Sequence, residues 1–129
     1  MASYDNLPVY KTTYELLSYF YKIGKNIHRD YRYTLAERLK NELTDVLVLI
    51  YKANLTNEKT ELLESARDKI MIVKIQLRLL SDLKQISLKQ FALCVEMVES
   101  VSKQLASWQK SHEERIQKKK GLSGNESFV

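Results

Sequence analysis

The sequence predicts an all-α protein, an antiparallel up-down-up-down four-helix bundle. Three observations predict it. Only three Gly and one Pro occur in 129 residues, too little punctuation for a many-stranded sheet. Four segments carry apolar residues at spacings of three and four, the period of a helix with one buried face. The links between these segments are short, and short links between long helices make antiparallel neighbours.

The first helix is expected over 8–27. Pro8 suits a first turn, where its missing N–H costs nothing, and Val9, Leu16, Phe20, Ile23 and Ile27 form the stripe. The second is expected over 35–54. Thr34 and Glu37 fit a reciprocal capping box, and Leu35, Leu39, Leu43, Val46, Ile50 and Ala53 face inward. The third is expected over 58–84 with Asn57 as N-cap and a stripe of Leu63, Ala66, Ile70, Val73, Leu77 and Leu80. The fourth is expected over 88–116. Ser87 and Gln90 make a second capping box, Ile86 staples onto Phe91, and Phe91, Cys94, Val98, Val101, Leu105 and Trp108 form the stripe. Residues 1–7 then form an N-terminal extension, 8–116 the bundle domain, and 117–129 a basic tail expected to be disordered.

Composition narrows the function classes. Apolar residues at 44% beside 29% charged residues are the balance of a soluble globular domain. The lone Cys94 excludes an internal disulfide. The longest apolar run, VLVLIY at 46–51, is far too short to cross a bilayer, and MASYDNLPVYK has no secretory pattern. A cytoplasmic protein without a membrane partner is expected. The net charge of +5 permits an anionic partner without requiring one.

The third helix carries more apolar surface than one bundle needs. At about 100° per residue, Ile72, Ile75, Leu79 and Leu83 cluster roughly 140° to 220° from Ile70, opposite the core stripe. Four large aliphatics on a second face predict a subunit interface. The first helix has a second row of its own, Tyr10, Tyr14, Leu17 and Tyr21. Tyrosine suits a protein–protein surface because its ring buries area while its hydroxyl stays wet. The competing reading is that these rings only flank the core.

Between the two faces of the third helix lie Arg67, Lys74 and Arg78. The segment YKIGKNIHRDYR at 21–32 adds Lys22, Lys25, Arg29 and Arg32 against one acid, Asp30, with Tyr31 and Tyr33 interleaved. Cations mixed with aromatics suit phosphate contacts and base stacking. The competing reading is an ordinary solvated face. Catalysis has little support: His28 and His112 lie at different helix ends, no Cys/His spacing fits zinc, no Glu-x-x-His motif fits a di-iron bundle, and no Gly-rich loop fits a phosphate. No enzyme activity, catalytic residue, metal or cofactor is expected.

LPVYKTTYELLSYFYKIGKNIHRDYRYTLAERL, the two-faced IVKIQLRLLSDLKQIS and the closing VSKQLASWQKS together resemble the four-helix-bundle family of the accessory variability determinant of diversity-generating retroelements. That family is related to proteins encoded in intervening sequences of 23S ribosomal RNA genes. The resemblance covers residues 7–111. It implies a homopentameric barrel with a basic surface, binding a reverse transcriptase and RNA or DNA, and assisting mutagenic cDNA synthesis. By position, Lys74 and Arg78 match the family's basic pair, Arg29 matches its basic inter-helix segment, and Trp108 matches its tryptophan late in the fourth helix, which we read as a packing residue. The alternative function is that of an intervening-sequence protein of unsettled role that binds RNA.

Overall fold

A computed structural model describes the backbone of residues 3–127 and the side chains of residues 3–121. Four long helices carry the fold: α1 (Pro8–Ile23), α3 (Leu35–Leu55), α4 (Thr60–Asp82) and α5 (Leu88–Ser127). A single turn, α2 (Arg29–Arg32), sits in the first connection, and there are no strands among the described residues. The architecture is the all-α four-helix bundle that the periodicity predicts.

Helices α1 and α4 each pack between α3 and α5, so they occupy diagonal corners. Lys69 meets Glu42 and Asp45 across α3 and α4. Lys74 meets Glu99 and Arg67 meets Gln109 across α4 and α5. Along α4 and α5 the numbers fall on one helix as they rise on the other, the order that antiparallel neighbours give.

The predicted stripes make the core. Leu16, Phe20, Ile27, Leu39, Leu43, Ile50, Leu63, Leu77, Leu80 and Leu105 are fully buried, each contributing about 1.5–3 kcal/mol relative to exposure. Phe91 and Trp108 are only half-buried and pack on its margin. Thr13 is the polar residue of the α1 stripe, and its hydroxyl donates to the Val9 carbonyl at 2.8 Å, so its burial leaves no orphan.

The element ends depart from the expectation where local chemistry competes. Helix α1 stops at Ile23, not 27, because Gly24 starts a 3-10 turn, Gly24–Asn26; glycine is a poor helix former. His28 then caps α2 by accepting the Asp30 N–H at Nδ1, 3.2 Å. Thr34 is the N-cap residue of α3 as predicted, but its side chain makes no cap bond, since its hydroxyl donates backward to the Asp30 carbonyl at 3.0 Å. Helix α4 begins at Thr60 with Lys59 as N-cap, not at 58 behind Asn57, because Thr56 Oγ1 accepts the Glu58 N–H at 3.2 Å and holds that residue in a turn.

The Ser87–Gln90 box forms as predicted: the Ser87 N–H donates to Gln90 Oε1 at 2.9 Å and the Gln90 N–H to Ser87 Oγ at 3.0 Å. At the far end, α5 continues to Ser127 where an end at 116 was expected. Residues 117–120 are good helix formers, and Gly121 keeps a right-handed φ, so nothing terminates the helix there. The part of the tail expectation that falls on residues 128–129 lies outside the described residues. The N-terminal extension is tied down as well. Tyr4, in a 3-10 turn, packs edge-on against Tyr10 and Tyr51, with ring centroids 5.1 and 4.7 Å away.

Candidate nucleic-acid and subunit interfaces

Two kinds of surface concern function: the cations and the second apolar faces. The structure separates the cations into two groups of different electrostatic character.

The α4 seam is compensated. Lys74 Nζ lies 2.5 Å from Glu99 Oε1. Arg78 Nε lies 3.3 Å from both oxygens of Asp82, one turn on. Arg67 Nη1 donates to Gln109 Oε1 at 2.9 Å. The Lys74 ammonium, by hydrogen bond and charge, holds the Glu99 carboxyl below its usual range. Arg67 and Lys74 line a groove between α4 and α5 that also holds Glu64, Asp68 and Glu99. This is a mixed-charge surface rather than a positive ridge, and an arriving phosphate must compete with carboxylates already in place.

The second group is less compensated. Lys22, Lys25 and Arg29 are exposed and enter no ion pair among the described residues. Arg32 differs: it is half-buried, Nε donates to the Ile27 carbonyl at 3.2 Å and Nη2 to the Lys25 carbonyl at 3.0 Å. It therefore braces the backbone on which Lys25 sits. Lys22 and Lys25 line a groove with Tyr14, Leu17, Ser18 and Tyr21. Tyr31 is half-buried and Tyr33 exposed.

Folding brings a further cation to this end. The His28 N–H donates to Gln85 Oε1 at 2.8 Å, tying the α1–α3 connection to the α4–α5 turn. Lys84, exposed, is the residue beside that anchor. It has φ 58° and closes α4 with paired bonds, Gln85 N–H to the Leu80 carbonyl at 2.9 Å and Lys84 N–H to the Ser81 carbonyl at 3.0 Å. Sequence reading missed Lys84 because it stands apart from the 21–32 cluster. It also missed Lys40, whose Nζ lies 4.3 Å from the centre of the Tyr21 ring. That geometry is a cation–π contact, and it sets the Tyr21 ring against α3.

The second apolar faces stay open on the isolated chain. Ile75 is 63% exposed, Leu79 45% and Ile72 37%, with Met71 beside them at 57%; Leu83 is half-buried. On α1, Tyr14 is 56% and Tyr21 51% exposed. Tyr10 is different: half-buried, it packs on the core and stacks with Tyr14 at 6.3 Å. The flanking role accounts for Tyr10, while Tyr14 and Tyr21 present ring area to solvent.

The opposite end of the bundle is a structural latch. Lys59 Nζ donates to the Ala53 and Thr56 carbonyls, each at 2.6 Å, satisfying the open end of α3. Its own N–H donates to Nε2 of the buried His112 at 3.3 Å. Trp108 lies against the same ammonium, 5.8 Å from ring centre to Nζ. Partial burial, and next the Arg115 charge, lower the Lys59 pKa. His28 and His112 are thus used at opposite ends for backbone capping. Among the described residues no group of three or more His, Cys, Asp or Glu is placed to hold a metal ion, and no helix is long and apolar enough to cross a membrane.

The profile of the bAvd-like family matches residues 8–112. The chain belongs to the bAvd-like family. The match opens on the first residue of α1 and closes on His112, so the bAvd-like region runs from the start of the bundle to the latch that holds α4 against α5. No curated protein matches the chain. Membership of the bAvd-like family points to an accessory protein of the Avd type.

Proposed function

We propose that this bAvd-like chain is a non-enzymatic accessory protein of a diversity-generating retroelement. It self-associates into a ring of bundles, a pentamer in the form the family resemblance implies, and brings a reverse transcriptase and nucleic acid together on a basic surface. The family match over residues 8–112 carries this reading. Two features of the chain support it. The open Ile72, Ile75 and Leu79 face is of a kind that single soluble molecules seldom leave uncovered, and full burial is worth about 1.5–3 kcal/mol per side chain. Lys22, Lys25, Arg29 and Lys84 gather at one end of the bundle, and all four are exposed.

The nucleic-acid contact in this reading is centred on that end, with Lys74 and Arg78 secondary because each already holds a carboxylate. The affinity is mainly phosphate-driven, so it falls steeply with salt and little with sequence. The test is fluorescence anisotropy with a single-stranded RNA in low salt. Replacing Lys22, Lys25 and Arg29 together by Ala lowers affinity at least tenfold and flattens the salt slope, whereas Lys74→Ala with Arg78→Ala has the smaller effect. Equal affinity for the triple variant and the native chain contradicts the basic-end contact. Co-purification with a reverse transcriptase separates this function from that of a ribosomal-RNA intervening-sequence protein, which would bind RNA without that enzyme.

A further inference from the structure

The geometry points to the occupant of the open α4 face: the tyrosine face of α1 from a second copy of this chain, in a head-to-tail contact that closes into a ring instead of a two-fold dimer. This rests on the self-association proposed above and specifies which surfaces meet.

Position within the bundle supplies the first argument. Helices α1 and α4 stand at diagonal corners, each flanked by α3 and α5, so their outer faces look away from each other. One copy therefore offers two different apolar faces on opposite sides. A two-fold axis pairs a face with itself, whereas two unlike faces on opposite sides pair head to tail.

Height along the bundle supplies the second. Gln104 Nε2 lies 3.4 Å from Thr12 Oγ1, which sets α1 against α5. Glu99 and Gln109 bracket Gln104 evenly on α5, and they meet Lys74 and Arg67 on α4. Thr12 is thus level with Ile70 and Met71, and at a common rise per residue the level partner on α4 is reached by adding about 58 to a number on α1. The His28–Gln85 hydrogen bond at the far end gives a separation of 57, in agreement. Tyr14, Leu17 and Tyr21 on α1 therefore lie level with Ile72, Ile75 and Leu79 on α4, and both triplets are spaced by three and then four residues. A rotation axis parallel to the helices brings together surfaces at equal height, so neighbouring copies meet with these triplets in register.

At one margin Lys11, exposed beside the tyrosines, comes level with Lys69 of the neighbouring copy, one residue's rise from the exposed Asp68. At the other margin Lys25 comes level with Leu83 and Lys84 of the neighbouring copy. The cations of one bundle end thereby run into those of the next, and the rim of the ring is continuous positive charge. The repulsion there weakens the seam until a polyanion lies across it.

Thiol cross-linking tests the pairing on the full chain, with native Cys94 silent because it is buried. Tyr21→Cys and Leu79→Cys, both at exposed positions, are prepared in separate chains, mixed through a dissociation and reassociation cycle, and treated with a short bismaleimide. The expected result is a covalent dimer only when both variants are present, and a ladder of higher covalent oligomers when both substitutions share one chain. Self-cross-linking of Leu79→Cys without the other variant overturns the head-to-tail pairing in favour of a two-fold one. A native oligomer that gives no Tyr21–Leu79 product overturns the α1–α4 pairing while sparing self-association. A native particle of 15.1 kDa by sedimentation overturns self-association and the pairing together.

Discussion

Gln85 holds His28 across 57 residues of sequence: its Oε1 accepts the His28 N–H at 2.8 Å while its Nε2 donates to the Leu83 carbonyl at 3.0 Å. One amide thereby ties the α1–α3 connection to the α4–α5 turn and fixes the end of the bundle that carries Lys22, Lys25 and Arg29.

Removing that tie loosens the end without dissolving the core. Gln85→Ala is expected to cost about 1–2 kcal/mol, two hydrogen bonds at their usual net worth. Denaturant unfolding measures the loss, and amide hydrogen exchange places it: the His28 N–H exchanges faster in the variant while amides in the middle of α3 follow the global change only. An unchanged His28 exchange rate contradicts the role given to Gln85.

Lys84 occupies a left-handed backbone position, φ 58°, where a side chain is strained. Glycine is free of that strain but loses more entropy on folding, so Lys84→Gly is expected to stabilise the chain by up to about 1 kcal/mol. The same substitution removes a cation from the basic end and lowers RNA affinity. Higher melting temperature with weaker RNA binding is the predicted pair of results. A lower melting temperature contradicts the assignment of the helix end.

The Lys74–Glu99 pair gives a pH dependence with a definite sign. The Glu99 carboxyl is held below the usual value of 4.5, first by its hydrogen bond to Lys74 and then by that residue's charge. The unfolded chain therefore takes up this proton first as pH falls. The stabilisation is fully present above about 4.5 and is lost as pH drops through the folded value. Thermal melts of the native chain and Lys74→Met are expected to differ most near neutrality and to converge in acid. Parallel curves down to pH 3 would mean that the contact is not held in solution.

Cys94 lies in the core on α5, and burial pushes its thiol up to about 11. Reaction needs the thiolate and access to it. At pH 8 a thiol-specific reagent is expected to modify the folded chain only as fast as the chain unfolds, and at once in denaturant. Rapid stoichiometric labelling of the folded chain contradicts the packing of the α5 stripe.

The sequence made the core readable because helical periodicity is local. Val9 through Ile27, Leu39 through Ala53, Leu63 through Leu80 and Cys94 through Leu105 fall on the buried faces as their spacing requires. The open face of α4 was readable for the same reason, since Ile72, Ile75 and Leu79 share one side of the wheel. What could not be read was set by side chains far apart in the chain. Nothing near Lys74 announces Glu99, so a cation that looks free in sequence is compensated in space. Nothing near residue 28 announces Gln85, so Lys84 was not counted with the cluster it joins. Helix ends failed where one hydroxyl had two possible uses, as at Thr34, whose local motif fitted a cap but whose oxygen turns back to Asp30.

The most direct test of the account is the mass of the particle in solution, measured by sedimentation equilibrium on the native chain and on Ile75→Asp. Ile75 makes no demand on the core, being 63% exposed, so the variant keeps its helical circular dichroism. The account predicts a native mass that is a multiple of 15.1 kDa and an Ile75→Asp mass that returns to 15.1 kDa. A native chain that sediments at 15.1 kDa, or an Ile75→Asp chain that keeps the native assembly, contradicts it.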